Sequence, residues 1–126
     1  SIHMVLAEST RGLIGAAALA LMKASAYLIN TSRGPLVCEE SLIHALETES
    51  IAGAGLDVFE IEPLPKDHAF RRLHNVVITP HTGYITDEQY SVFFGEAVEN
   101  VVAFASGEPI RIMDENNMIA ALMDRK

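Results

Sequence analysis

The sequence predicts an open α/β fold, a parallel sheet of short strands with flanking helices. Three observations carry that expectation. Short apolar runs alternate with helix-forming segments, the runs are nearly continuous instead of alternating apolar with polar, and most links between them are short. Near-continuous apolar runs mark strands covered on both faces, as in parallel sheets packed between helices. β–α alternation with short links gives layered sheets joined by right-handed crossovers.

Residues 1–6 read as a strand already in progress, and 15–23 are rich in Ala and Leu, strong helix formers. Residues 26–30 form a compact apolar strand, and 39–47 place Leu42, Ile43 and Leu46 on one helical face with His44 off it. Two more strands are expected at 51–59 and 75–79. Gly53-Ala54-Gly55 lies inside a strand and lacks the third glycine that opens a helix, so it reads as small residues allowing close helix–sheet packing. Residues 60–74 carry Pro63 and Pro65 with little periodicity, a length that inside a compact domain points to function or disorder. The last helix is bounded by Thr86 with Gln89, a capping box, and by Gly107 and Pro109 as a stop. Phe94, Val98, Val101 and Ala105 make its apolar stripe. One domain is therefore expected over 1–107, followed by a tail, 108–126, that needs another surface to pack on.

Composition narrows the function. The chain has 126 residues, 49% hydrophobic and 21% charged, with a net charge of −8 and no Lys/Arg cluster. An acidic chain without a basic stripe argues against nucleic acid and against an anionic membrane surface as partners. The longest apolar stretch, 13–22, is too short to span a bilayer. Cys38 is the only cysteine, so no disulfide closes within the chain and a reducing, cytoplasmic setting is the default. The opening Ser1-Ile2-His3-Met4 has no basic segment before an apolar run, and a start without Met suggests a fragment, a processed chain or an engineered piece. His3, His44, His68 and His74 show no ligand-like spacing, and no metal is expected.

Chemistry concentrates where apolar strands end. One runs into Thr31-Ser32-Arg33-Gly34, the next contains Asp57 and runs into Glu60-Ile61-Glu62, and the last runs into Pro80-His81-Thr82-Gly83. In a parallel sheet all strand C-termini share one edge, the edge where open α/β folds bind ligands. Arg33, Asp57, Glu62 and His81 should therefore meet in one crevice. Arg33 offers a fork suited to a carboxylate, His81 can give and take a proton near neutral pH, and Glu62 beside it would fix the ring's tautomer. Gly34 and Gly83 permit close backbone approach. Singly, each has a bland alternative: Arg33 as a surface ion-pair residue, His81 as a turn residue. A buried Asp57 is anomalous under any bland reading, and three consecutive strand ends together favour a site.

Four stretches, SIHMVLAESTRGLIG, LMKASAYLINTSRGPLV, IAGAGLDVFEIEPLP and NVVITPHTGYIT, occur in order. With them the chain resembles, from Ser1 to about Arg111, the C-terminal part of the NAD(P)-binding domain of the D-isomer-specific 2-hydroxyacid dehydrogenases. The resemblance implies a partial Rossmann-like parallel sheet and reversible reduction of 2-keto acids to (R)-2-hydroxy acids with NAD or NADP. It implies that Arg33 holds the substrate carboxylate, that His81 donates the proton, and that Glu62, with Glu60 the second choice, pairs with His81. Asp57 would hydrogen-bond the nicotinamide carboxamide, with Thr31, Ser32, Arg33, His81 and Gly83 completing the cofactor wall. His3 would fall near the adenosine side. The partner is a small 2-keto or 2-hydroxy acid, and the intact protein would be a homodimer.

Departures from the family pattern set further expectations. The Gly-rich phosphate loop, the residue selecting NAD over NADP and the substrate domain do not occur in these 126 residues, so the chain alone is expected to be inactive. Its first strand would present a bare edge, which motivates a second reading, a non-catalytic interaction module or degenerate family member that pairs with another chain through that strand. Cys38 stands at a helix N-cap where the family usually has an acidic residue, Ala24-Ser25 replaces a Pro-Gly stop, and Glu49 stands where Gly commonly ends a helix.

Overall fold

In a computed structural model, which describes residues 1–113, the chain divides into a unit spanning Ser1–Tyr84 and a second beginning at Ile85. The expected tail lies mostly outside the described residues.

The first unit is built on three strands, β1 (Tyr27–Asn30), β2 (Gly53–Leu56) and β3 (Val76–Ile78), all parallel and in sheet order β1-β2-β3. Register pairs Asn30 with Leu56 and Leu56 with Ile78, so the three C-termini end level. Period-two alternation puts Leu28, Asn30, Ala54 and Leu56 on the buried face. Helix α1 (Ala16–Ala20) and helix α2 (Glu39–Glu47) pack together, and Leu19, Leu42, Ala45 and Leu46 join the core with Leu36, Ile51 and Phe70. The opposite face departs from the expectation of two covered faces: Tyr27, Ile29 and Val77 are exposed on it. Gly53 serves the sheet and not a helix contact, since a Cβ there would lie 2.5 Å from the Asn75 carbonyl oxygen.

Residues 1–6 form less than the expected strand. Only Ile2 bridges β1, donating its N–H to the Ile29 carbonyl at 3.0 Å. Its own carbonyl also accepts the Ser32 hydroxyl at 3.2 Å. The long link after β2 is ordered through side chains. His68 caps a 3-10 turn at Ala69–Arg71 and reaches Glu39, at the start of α2, at 2.9 Å, while Phe70 is buried.

The weak helix ends read from the sequence are present. Cys38 gives α2 no side-chain cap, its sulfur accepting instead from the Ser41 hydroxyl at 3.1 Å, while Glu39 and Glu40 face the helix's positive end. Beyond α2, Glu49 sits at φ 52°, a left-handed conformation that suits glycine. Glu49→Gly should therefore raise stability by about 1 kcal/mol, read as an increase in denaturation midpoint. The exposed Glu49–His74 pair at 3.8 Å contributes too little to offset that gain.

In the second unit, helix α3 (Asp87–Ala105) begins where expected, Thr86 accepting the Gln89 N–H at 3.2 Å, and ends before Gly107 at φ 82°. None of its residues is buried, the predicted apolar stripe included. Arg111 bonds back to Glu99 at 2.7 Å and to the Asn100 side chain at 3.0 Å. No helix among the described residues is long and apolar enough to cross a membrane.

Candidate active site

The turn after β1 is shaped by a residue that sequence reasoning passed over. Asn30, 1% exposed, donates from its amide to the Arg33 carbonyl at 2.9 Å and accepts the Ser32 N–H at 3.1 Å. A polar residue at an inward strand position was the available signal. The turn leaves Thr31 and Arg33 exposed, and the Arg33 guanidinium donates through Nη1 to the Ser32 carbonyl at 2.6 Å. Its other N–H groups have no partner among the described residues. Gly34 then backs onto the chain after β2, where a Cβ would lie 2.0 Å from the Phe59 carbonyl carbon.

Asp57 follows β2 and is 4% exposed. One carboxylate oxygen accepts the Thr79 hydroxyl and the Thr82 N–H at 2.9 Å, and the other accepts the Gly83 N–H at 2.8 Å. This one side chain thus spans the turn after β3, in which His81 takes a left-handed φ of 56°. A non-glycine residue there is strained, and such strain persists only where surrounding contacts over-determine it. The three donors on Asp57 supply those contacts.

Glu62 points its two oxygens in different directions. Oε1 accepts the Phe59 N–H at 2.9 Å, and Oε2 accepts from His81 Nδ1 at 2.7 Å. Because the partner is a carboxylate, Nδ1 carries a hydrogen, leaving Nε2 as the nitrogen available for proton exchange. Glu60, the second choice for this pairing, bonds Arg11 at 3.5 Å instead. The Tyr84 ring meets the imidazole edge to face, centroids 6.3 Å apart.

Burial alone would raise both carboxyls, yet both lie below the ordinary carboxylate range. For Asp57 burial is outweighed by the Thr79 hydroxyl, the Gly83 and Thr82 N–H groups and the field of His81. For Glu62 it is outweighed by the His81 hydrogen bond, the Phe59 N–H and the charges of His81 and Arg33. A lowered folded-state value means that each group contributes stability above its unfolded value, near 4, and loses it as pH falls through the folded one. The first unit should therefore melt earlier as pH drops below about 4. Asp57→Asn should lower stability by about 1–3 kcal/mol at neutral pH by turning an amide toward N–H donors, with the gap to wild type narrowing in acid. Thermal melts of both proteins between pH 7 and pH 3 check this, and a constant gap would contradict it.

The structure brings Arg33, Asp57, Glu62 and His81 to the level C-terminal edge of the sheet. Thr31 stands beside them, its methyl 3.9 Å from where a Gly83 Cβ would be. His3 does not join the cluster; it is exposed and meets Ser1 at 2.7 Å. Phe59, Pro63, Leu64, Ile78 and Pro80 line a cavity of about 550 Å3 around Glu62 and His81.

Residues 1–83 match the family model of the D-isomer specific 2-hydroxyacid dehydrogenase, NAD binding domain. Over 107 residues the chain is 48% identical to the glyoxylate/hydroxypyruvate reductase B of Enterobacter agglomerans, covering 85% of this chain and 33% of that one. It superposes with a TM-score of 0.72 on a D-lactate dehydrogenase with NAD+ from Lactobacillus jensenii, at 33% identity and covering 90% and 38% of the two chains. A D-isomer specific 2-hydroxyacid dehydrogenase from Xanthobacter autotrophicus Py2, in complex with NADPH and MES, superposes at 0.63 with 40% identity, covering 89% and 46%. The chain spans about a third of the length of the curated relatives it matches. The family model over residues 1–83 and the shared fold agree: the chain belongs to the D-isomer-specific 2-hydroxyacid dehydrogenases, as part of their NAD-binding domain.

Proposed function

We propose that this chain supplies the proton-transfer half of a site that reduces small 2-keto acids to (R)-2-hydroxy acids with NAD(H) or NADP(H). The observation that carries the reading is the Glu62–His81 pair at 2.7 Å, set at the strand ends beside Arg33 and Asp57. Arg33 binds the substrate carboxylate through guanidinium N–H groups now turned to solvent. His81 donates from Nε2 to the carbonyl oxygen and takes the proton back in the reverse direction. Glu62 stays ionised throughout, holding Nδ1–H and the ring plane.

The residues present fit the nicotinamide end of the cofactor. A carboxylate has about four acceptor sites; three on Asp57 are filled, leaving one on Oδ2 for a carboxamide N–H. Gly83 keeps that side open, since a Cβ would fall 2.9 Å from Oδ2. Thr31 and Ser32 form the adjoining wall. When bound, the dinucleotide supplies the hydride. Glyoxylate and hydroxypyruvate are the first substrates to try, given the reductase relatives. A homodimer and a cytoplasmic location are carried over from the family reading, and the lone Cys38 fits a reducing compartment.

The test grafts residues 1–107 into the Enterobacter agglomerans reductase in place of the matching stretch. Reduction of glyoxylate or hydroxypyruvate with NADH or NADPH supports the reading. A folded, cofactor-binding graft that reduces neither overturns it. The 126-residue chain by itself is expected to show no turnover.

A further inference from the structure

We propose that Arg71 is a positioning residue for the Glu62–His81 pair, its guanidinium clasping the backbone that presents Glu62. Nε donates to the Pro65 carbonyl at 2.9 Å and Nη2 to the Leu64 carbonyl at 2.9 Å. Two bonds from one planar fork to successive carbonyls fix orientation as well as distance, which a single ammonium cannot do. Leu64 is two residues after Glu62, and its side chain is buried.

The clasp is anchored in the core. Arg71 belongs to the same short turn as the buried Phe70, and that turn is tied to the start of α2 by the His68–Glu39 contact at 2.9 Å. At the other end of the segment, Glu62 itself holds the Phe59 N–H at 2.9 Å. Residues 59–65 are thus pinned at both ends, and the Glu62 carboxylate emerges between the pins toward His81. Arg71 also lines the cavity beside that pair, so removing it opens space into which the segment can relax. Arg72, its neighbour, bonds the Asp67 carbonyl instead.

The inference deepens the proposed function, but it can fail separately because the primary readout is the pair itself. In the labelled 126-residue chain, NMR follows the Glu62 carboxyl titration and the His81 Nδ1–H resonance. In the wild type, Glu62 titrates below the ordinary range because His81 and the Phe59 N–H favour its ionised form. Arg71→Met, which removes fork and charge, and Arg71→Lys, which keeps the charge, should both move Glu62 up toward the ordinary value and broaden or lose the Nδ1–H signal. Arg72→Met should change neither. An unchanged Glu62 titration in Arg71→Met with native Leu64 and Phe70 resonances would overturn the proposal. So would full retention in Arg71→Lys, which would make the effect one of charge. If Arg71→Met does not fold, Arg71→Lys decides. In the reductase graft, Arg71→Met should lower kcat by roughly tenfold to a hundredfold at unchanged cofactor KM. A displaced Glu62 titration with unaltered kcat would leave the clasp standing and count against the dehydrogenase reading.

Discussion

Gly34→Ala is expected to destabilise the first unit by about 3 kcal/mol or more, beyond the usual range for added methyl groups in a packed interior. The cause is backbone against backbone. A Cβ at Gly34 would lie 2.0 Å from the Phe59 carbonyl carbon, 2.1 Å from its oxygen and 2.6 Å from the Glu60 nitrogen. No rotamer relieves that, because the obstructing atoms are main chain, so the turn after β1 must move away from the segment after β2 by more than an ångström. For a unit of this size the loss corresponds to a fall of roughly 12–24 °C in Tm. Gly95→Ala is the control: it lies in α3, and its Cβ would meet nothing within 4 Å. There the substitution should be neutral or stabilising by up to about 1 kcal/mol. Equal melting of wild type and Gly34→Ala would mean that the Arg33 turn does not rest on Phe59. The functional consequence follows from the same displacement, since Arg33 stands on one side of this contact and Glu62 on the other.

What was legible in advance depended on whether a feature repeats along the chain. The bounds of α2 and α3 follow from apolar spacing and from Thr86, and they match the residues observed. The level strand ends follow from parallel topology alone, which is why Arg33, Asp57, Glu62 and His81 could be assigned to one edge before any coordinates. Pairing specified by single side chains was less accessible. Residues 1–6 look like a strand, yet only Ile2 pairs with β1, and its carbonyl meets the Ser32 hydroxyl thirty residues away, a contact that leaves no periodic trace. Asn30 and Arg71 each shape the site through carbonyls of neighbouring turns, contacts that composition and spacing do not encode. Asp57 was legible as a buried acid, whereas its hold on Thr79 before His81 and on Thr82 and Gly83 after it needed the fold.

His81→Ala in the reductase graft should lower kcat by about 10²–10⁴-fold, the usual contribution of a positioned acid–base group, while the cofactor dissociation constant changes little. The separation is expected because the nicotinamide contacts proposed here run through Asp57, Thr31 and Gly83, and Asp57 keeps its Thr82 and Gly83 donors without the imidazole. Glu62→Gln should be milder. The amide oxygen can still accept the Nδ1–H and hold the ring plane, but the carboxylate charge beside the imidazole is lost, so kcat should fall by less than in His81→Ala. Stopped-flow single turnovers with hydroxypyruvate separate these effects by reading binding and reduction as distinct phases. Equal losses in cofactor binding and in reduction for His81→Ala would mean that the imidazole holds the turn together instead of moving a proton. In that case the strained φ of 56° at His81 would relax in the variant, and Asp57 would lose its donors with it.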